Sequence, residues 1–201
     1  MAQYAMAFDY ELCINCRACE VTCKEENGII KGADKHRLWI ETKESLGDYF
    51  SLSQDREMFT QKQCQQCTNP FCKEVCPVDA ISHDKNGIVV TDADKCILCM
   101  KCIDVCPYNA RYVDDKRHFA DKCIFCADTR LARGETTTAC QITCPAKLRY
   151  FGDIKNPNSE ISKVLKSREY FSFPIGNNGV HLFYLKPKKK EERVERDRVC
   201  G

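Results

Sequence analysis

The sequence is short of the features that place a chain in a membrane, on nucleic acid or outside the cell. No apolar run approaches the ~18 consecutive residues needed to cross a bilayer, so the chain is not itself a membrane span. The opening MAQYAMAFDY has no basic stretch followed by an apolar core, so no secretory signal is visible. Neither sign of charge dominates. The 31 Lys plus Arg against 29 Asp plus Glu leave a formal +2, which by itself points neither to nucleic acid nor to a membrane surface. Histidine is scarce too: His36, His83, His118 and His181 show no ligand spacing and read as surface or packing residues.

What the sequence has in excess is cysteine, 17 of 201 residues. That level invites a disulfide scaffold, but the spacings are tight and repeated, with pairs separated by two residues, which suits metal ligation. Sixteen cysteines fall into four groups. Group one is Cys13, Cys16, Cys19 and Cys23; group two is Cys64, Cys67, Cys72 and Cys76. Group three is Cys96, Cys99, Cys102 and Cys106; the stretched group four is Cys123, Cys126, Cys140 and Cys144. Proline follows the last cysteine of groups two, three and four but not of group one. The run C-x2-C-x2-C-x3-C-P of group three is the bacterial ferredoxin signature for [4Fe–4S] clusters.

The chemistry accounts for the spacing. A cubane cluster presents four irons, each wanting one soft thiolate. Three cysteines in a short loop cover one face, and the fourth thiolate comes from another group; in two-cluster ferredoxins the last cysteine of each run ligates the other cluster. Groups two and three start 32 residues apart and read alike, so they form one unit, which groups one and four enclose. The exchange rule then gives four clusters. Cys13, Cys16 and Cys19 take Cys144; Cys123, Cys126 and Cys140 take Cys23. Cys64, Cys67 and Cys72 take Cys106; Cys96, Cys99 and Cys102 take Cys76. Zinc in CxxC knuckles is the competing reading, but zinc has no use for a third cysteine at x2 and a fourth at x3-Pro.

Local patterns place these groups. QYAMAFDY reads as a strand, and EVTCKEEN as a helix ending at Asn27-Gly28. Proline favours a turn after Cys76, Cys106 and Cys144, whereas the helix carrying Cys23 can run on through Lys24. HRLWIET and REMFTQ read as strands, and AISHDKNGIVVTDADKC as a hairpin turning at Asn86-Gly87. NPNSEISKVLKS carries an N-cap and an apolar face of Ile161, Val164 and Leu165, hence a short helix. VHLFYL is a late strand or arm, and KPKKKEERVERDRVCG, with the lone Cys200, a solvated tail. Phe8, Tyr10, Phe71, Tyr108, Phe119 and Phe125 lie close to cysteines in the sequence and read as packing that excludes water.

These residues together resemble the iron–sulfur electron-transfer (beta) subunit of molybdopterin-dependent respiratory oxidoreductases, and look most like the polysulfide and thiosulfate reductase branch. The resemblance runs from YAMAFDYELCINCRACEVTCKEEN through CQQCTNPFCKEVCPVDAI, KCILCMKCIDVCPYNARY and KCIFC to FGDIKNPNSEISKVL and LFYL. Two departures stand near group four: ETTTAC lacks the proline usual before its third cysteine, and the Cys126–Cys140 interval is about two residues longer than is usual in the family. Neither removes a ligand.

The resemblance implies an α+β fold of two ferredoxin-like units, each of the bacterial 2[4Fe–4S] type, one inserted in the other, with loop-rich extensions. Residues 1–50 and 117–155 form the outer unit, 51–116 the inner unit, and 156–201 a C-terminal helix, arm and charged tail. It implies a non-catalytic relay with four [4Fe–4S] clusters and two partners. One is a molybdopterin-containing catalytic subunit that reduces an inorganic sulfur compound; the other is an integral membrane, quinone-binding anchor subunit. The Cys13/Cys144 cluster would face the first and the Cys76/Cys96 cluster the second. A formate dehydrogenase or hydrogenase relay is the alternative within electron transfer, and a zinc-bound assembly scaffold the alternative of another class. Attachment at the outer (periplasmic) membrane face by co-export with a partner is expected, with the cytoplasmic face as the alternative. Four oxidised clusters at about −2 each turn +2 into roughly −6. Hydrogen bonds to sulfur and nearby cations then set the potentials, with Lys73, Lys95, Lys101 and Lys122 as candidates.

Overall fold

The computed structural model describes residues 2–29, 35–42 and 59–187. Its centre is a four-stranded sheet built on β1, Tyr4–Phe8. On one side β1 pairs antiparallel with β8, Arg149–Asp153, in the register Met6↔Phe151. On the other it pairs in parallel with β10, Leu182–Leu185, in the register Ala7↔Phe183, and the short β9, Tyr170–Phe171, closes the edge. The late strand read from VHLFYL is thus central to the sheet.

The alternation of β1 assigns its two faces. Met6 and Phe8 point into the main core with Phe151, Leu182 and Tyr184. Ala5 and Ala7 point the other way, and their small side chains let α5, Glu160–Ser167, lie close against the strand. That helix starts where Ser159 Oγ accepts the Ser162 N–H at 3.2 Å, an N-cap, and it seats Ile161 with no exposed surface. Burying such a side chain contributes about 1.5–3 kcal/mol.

Three two-stranded antiparallel sheets complete the β structure of the described residues. The first pairs β2, Leu38–Thr42, with β3, Phe59–Gln63. The expected strand REMFTQ lies partly outside the described residues, as does the tail with Cys200. The second pairs β4, Ile81–His83, with β5, Val89–Thr91, through a turn in which Gly87 has φ +72°. The third, β6 at Arg111–Asp114 with β7 at Phe119–Lys122, carries no Asn-Gly or Gly-Pro signal. Its turn is made by the Asp114 carboxylate, whose Oδ1 accepts the Lys116 and Arg117 N–H groups, each at 3.0 Å, and by His118 at φ +55°.

The remaining helices are cysteine carriers. α1, Ala18–Asn27, holds Cys19 and Cys23 and closes on Gly28 at φ +60°. The single turns α2, Phe71–Glu74, α3, Lys101–Asp104, and α4, Ala139–Ile142, hold Cys72, Cys102 and Cys140. Each stops just before Cys76, Cys106 or Cys144, where proline then redirects the chain. Three residues past each of those cysteines, Asp79, Asn109 and Lys147 adopt φ of 49°, 49° and 47°. The same exit is built three times. Only α1 continues through its closing cysteine.

Candidate metal centre

Backbone conformation repeats in the cysteine loops as well. The residue before the second cysteine is left-handed in all four groups: Asn15, Gln66, Leu98 and Phe125, with φ of 55°, 52°, 53° and 52°. Arg17 and Met100, after the second cysteine of groups one and three, and Cys126 are left-handed too. Such a conformation costs roughly 1–2 kcal/mol in a residue with a Cβ. Of the eleven such residues described, ten lie in or just after cysteine groups. Left-handed residues alternating with ordinary ones turn successive N–H groups inward, forming a concavity for an anion. The N–H of Ala80 donates to Cys76 Sγ at 3.3 Å.

Sixteen cysteines converge as four quartets. Cys13, Cys16, Cys19 and Cys144 line one cavity. Cys64, Cys67, Cys72 and Cys106 line a second. Cys76, Cys96, Cys99 and Cys102 line a third. The fourth quartet is fully interior: Cys23, Cys123, Cys126 and Cys140 are all buried. Burial pushes the Cys23 thiol well above its ordinary pKa, and charge on Cys123, Cys140 and Cys126 beside it pushes further. Each quartet therefore draws three cysteines from one group and one from another.

The donor set, four thiols in each quartet, fits a metal–sulfur cluster. The thiols are poor thiolates unaided: burial raises Cys19 to about 11 and Cys67 to about 12. Iron held there would supply the positive charge that keeps buried thiols ionised.

Polar side chains aim at the sulfurs from outside the cysteine groups. Asn178 Nδ2 donates to Cys67 Sγ at 3.5 Å and to Tyr108 Oη at 2.7 Å. Asn27 Nδ2 approaches Cys23 Sγ at 3.6 Å, and its Oδ1 accepts from Arg37 Nη1 at 2.7 Å. Arg111 Nη2 donates to Cys72 Sγ at 3.2 Å, while Nη1 lies 3.9 Å from Cys102 Sγ. Burial opposes the charge on Arg149, but Cys140, Cys19 and Cys144 outweigh it and raise its pKa. Its Nε and Nη1 have no hydrogen-bond partner among the described residues. Burial lowers the pKa of Lys122, against the pull of Cys64 and Cys123.

Residues 56–154 match the family of the 4Fe-4S dicluster domain. The chain is 42% identical over 167 residues to a polysulfide reductase chain of Wolinella succinogenes, a stretch covering 83% of this protein and 84% of that one. It is 35% identical over 190 residues to the thiosulfate reductase electron transfer subunit PhsB of Salmonella typhi, covering 94% and 95%. With a tetrathionate reductase subunit of Salmonella typhimurium it shares 36% identity over 186 residues, covering 91% and 72%. The chain belongs to this family of iron–sulfur electron-transfer subunits.

The dicluster-domain match in this family member takes in groups two, three and four but not group one. Cys23 nevertheless joins Cys123, Cys126 and Cys140, and Cys144 joins Cys13, Cys16 and Cys19. Of the expected tuning lysines, Lys122 is buried at 1% exposure, whereas Lys73, Lys95 and Lys101 are exposed and do not enter the site. Sequence reasoning missed Asn178, Arg111 and Arg149. A signal existed for the arginines: CPYNARY and CPAKLRY both place Arg-Tyr at the same offset from the closing cysteine. Phe8, Tyr10, Phe119 and Phe125 are buried, as packing residues, while Phe71 and Tyr108 line the second cavity. His83 and His181 support the loop of group two through the carbonyls of Cys67, at 3.0 Å, and Gln66, at 2.7 Å.

Proposed function

We propose that this chain is the non-catalytic relay of a multisubunit reductase, binding four [4Fe–4S] clusters, one in each cysteine quartet. Each cluster, once bound, accepts and releases one electron at a time. The chain's own residues hold the thiolates, donate hydrogen bonds to sulfur and keep water out. Two ferredoxin-like units, the inner (51–116) inserted in the outer (1–50 and 117–155), are the arrangement we assign, with 156–201 as the C-terminal extension.

The observation that carries this reading is the three-plus-one composition of every quartet, which ties the quartets into two pairs. Cys13–Cys144 and the interior quartet share groups one and four, Cys64–Cys106 and Cys76–Cys96 share groups two and three, and Cys64 beside Cys123 joins the pairs into a row. Exposure supports it: of the sixteen cysteines only Cys16 and Cys99, one in each end quartet, are exposed. Exposed apolar residues flank both, Ile14 at one end and Ile97 and Met100 at the other. Val21 and Ile142, on the contacting helices α1 and α4, are also exposed. Such surfaces suit partner subunits.

For partners we infer a molybdopterin catalytic subunit at the Cys13 end and a membrane, quinol-oxidising anchor at the Cys99 end, holding the chain at the outer membrane face. No helix among the described residues is long and apolar enough to cross a membrane. The substrate we assign is an inorganic sulfur compound such as polysulfide, thiosulfate or tetrathionate, following the names of the relatives. Purified anaerobically, the chain should carry about sixteen irons with equal acid-labile sulfide and give paramagnetic signals on reduction. Zinc without sulfide would overturn the reading. Isolation of the complex with molybdenum and a polytopic protein, and assay on these acceptors, tests the partners.

A further inference from the structure

A charge taken out of water is costly unless an opposite charge meets it. Arg37 follows that rule: Asp121 takes its Nε at 2.9 Å and its Nη2 at 3.0 Å. Three other buried cations do not. Arg111, Lys122 and Arg149 are 6%, 1% and 3% exposed, and none has a carboxylate partner among the described residues. Arg111 and Arg149 face sulfur, and Lys122 faces backbone carbonyls, in each case between two quartets.

Arg149 lines the Cys13–Cys144 cavity and has Cys140 of the interior quartet as its strongest anionic neighbour. Lys122 Nζ donates to the Val89 carbonyl, on the wall of the Cys64–Cys106 cavity, and at 3.1 Å to the carbonyl of Cys123 in the interior quartet. Arg111 reaches Cys72 of the Cys64–Cys106 quartet and Cys102 of the Cys76–Cys96 quartet. The row has three junctions, and each holds one cation.

Resting on the four-cluster reading above, we propose that Arg149, Lys122 and Arg111 are positioning residues, each placed to stabilise added negative charge on both clusters flanking its junction. Electrons on neighbouring clusters repel, more strongly in a protein interior than in water. A cation between them lowers the energy of either reduced neighbour and offsets that repulsion. Its effect should therefore fall on pairs of centres. The arginines recur because CPYNARY and CPAKLRY repeat one structural unit; Lys122 lies between the two in the sequence.

The test is a redox titration of the iron-loaded full-length protein, followed by paramagnetic resonance, for Arg149→Gln, Lys122→Met and Arg111→Gln, with Arg149→Lys, Lys122→Arg and Arg111→Lys beside them. Each charge-removing variant should make two of the four centres harder to reduce, by about tenfold in the reduction constant, or 59 mV for one electron. The affected pairs should overlap along the row, so that each interior centre moves in two variants and each end centre in one. Charge-keeping variants should stay near the wild type. If a variant instead empties its two flanking sites, about half the iron is lost and the charge-keeping variant recovers it, which supports the proposal equally. Unmoved potentials, a shift confined to one centre, iron lost from all sites, or equal shifts in both kinds of variant would overturn it. A wild-type protein without cubane signals would overturn the four-cluster reading instead.

Discussion

Arg37 and Asp121 face each other through two parallel hydrogen bonds of 2.9 and 3.0 Å, with both side chains 2% exposed. The pair is the outer end of a chain that reaches a thiol. Arg37 Nη1 donates to Asn27 Oδ1, and the same amide turns its nitrogen toward Cys23. Tyr112 Oη donates to Asp121 Oδ2 at 2.6 Å from the other side.

Removing the charge of Asp121 should therefore be severe. Asp121→Asn leaves the buried Arg37 guanidinium facing a neutral amide, with only the half-exposed Asp128 carboxylate at 3.8 Å, and breaking a buried pair in this way costs about 3–5 kcal/mol. Tyr112→Phe removes one hydrogen bond to the same carboxylate and should cost about 1.5–3 kcal/mol. Denaturation midpoints of the iron-loaded variants rank the two; an Asp121→Asn protein as stable as Tyr112→Phe contradicts the role given to the pair.

Gln66 ties the group-two loop to the rest of the site. Fully buried, it donates to the Cys123 carbonyl at 2.7 Å and accepts from the Val89 N–H at 2.9 Å. Lys122 also serves the Cys123 carbonyl, so in Gln66→Leu the group left without a partner is the Val89 N–H. The expected loss is about 1–3 kcal/mol. Hydrogen exchange at Val89 reads it locally, and protection equal to the wild type there would contradict the contact.

Stability should fall toward acid pH through His181. Burial lowers its pKa, and the nearby His83 lowers it further, against the hydrogen bond to Gln66. The carbonyl of Gln66, at 2.7 Å, can only accept, which makes Nδ1 the protonated nitrogen of a neutral ring. A depressed folded-state value means the contribution is complete above the ordinary value near 6.5 and is lost as pH falls below it. His181→Asn keeps a donor near the Nδ1 position but does not titrate. Its denaturation midpoint should decline less than that of the wild type between neutral and mildly acid pH; parallel declines would exclude His181 as the source.

Asn178 offers a test of sulfur hydrogen bonding. It has no exposed surface and donates to Cys67 Sγ at 3.5 Å. Hydrogen bonds to sulfur favour the reduced, more negative cluster. Asn178→Ala should make the centre held by Cys64, Cys67, Cys72 and Cys106 harder to reduce, with the other potentials unchanged in a redox titration.

The fold was legible where local chemistry announces itself. Asn86-Gly87 marks a hairpin, Ser159 caps α5, Gly28 ends α1, and the alternation around Met6 and Phe8 makes β1 a strand. The β6–β7 hairpin was not, because an Asp114 carboxylate and a left-handed His118 do there what glycine does elsewhere. For the site, cysteine spacing is informative because a short loop can wrap only one face of a cluster. Which cations turn inward is not a local property. Lys73 and Lys101 sit on single-turn helices beside cysteines and point to solvent, while Arg111 and Arg149 lie on strands that carry them under the loops. Asn178 lies more than a hundred residues from the cysteine it contacts, so only the folded chain brings the two together.

The parallel pairing of β1 with β10 joins the two ends of the described chain. Every thiol of two neighbouring quartets lies between Cys64 and Cys106, so those two are complete within one short stretch of sequence. The other two need Cys140 and Cys144, and the strand that flanks β1 on its second side ends only at Leu185. The four thiols of group one therefore find their partner cysteines only a hundred or more positions further along the chain.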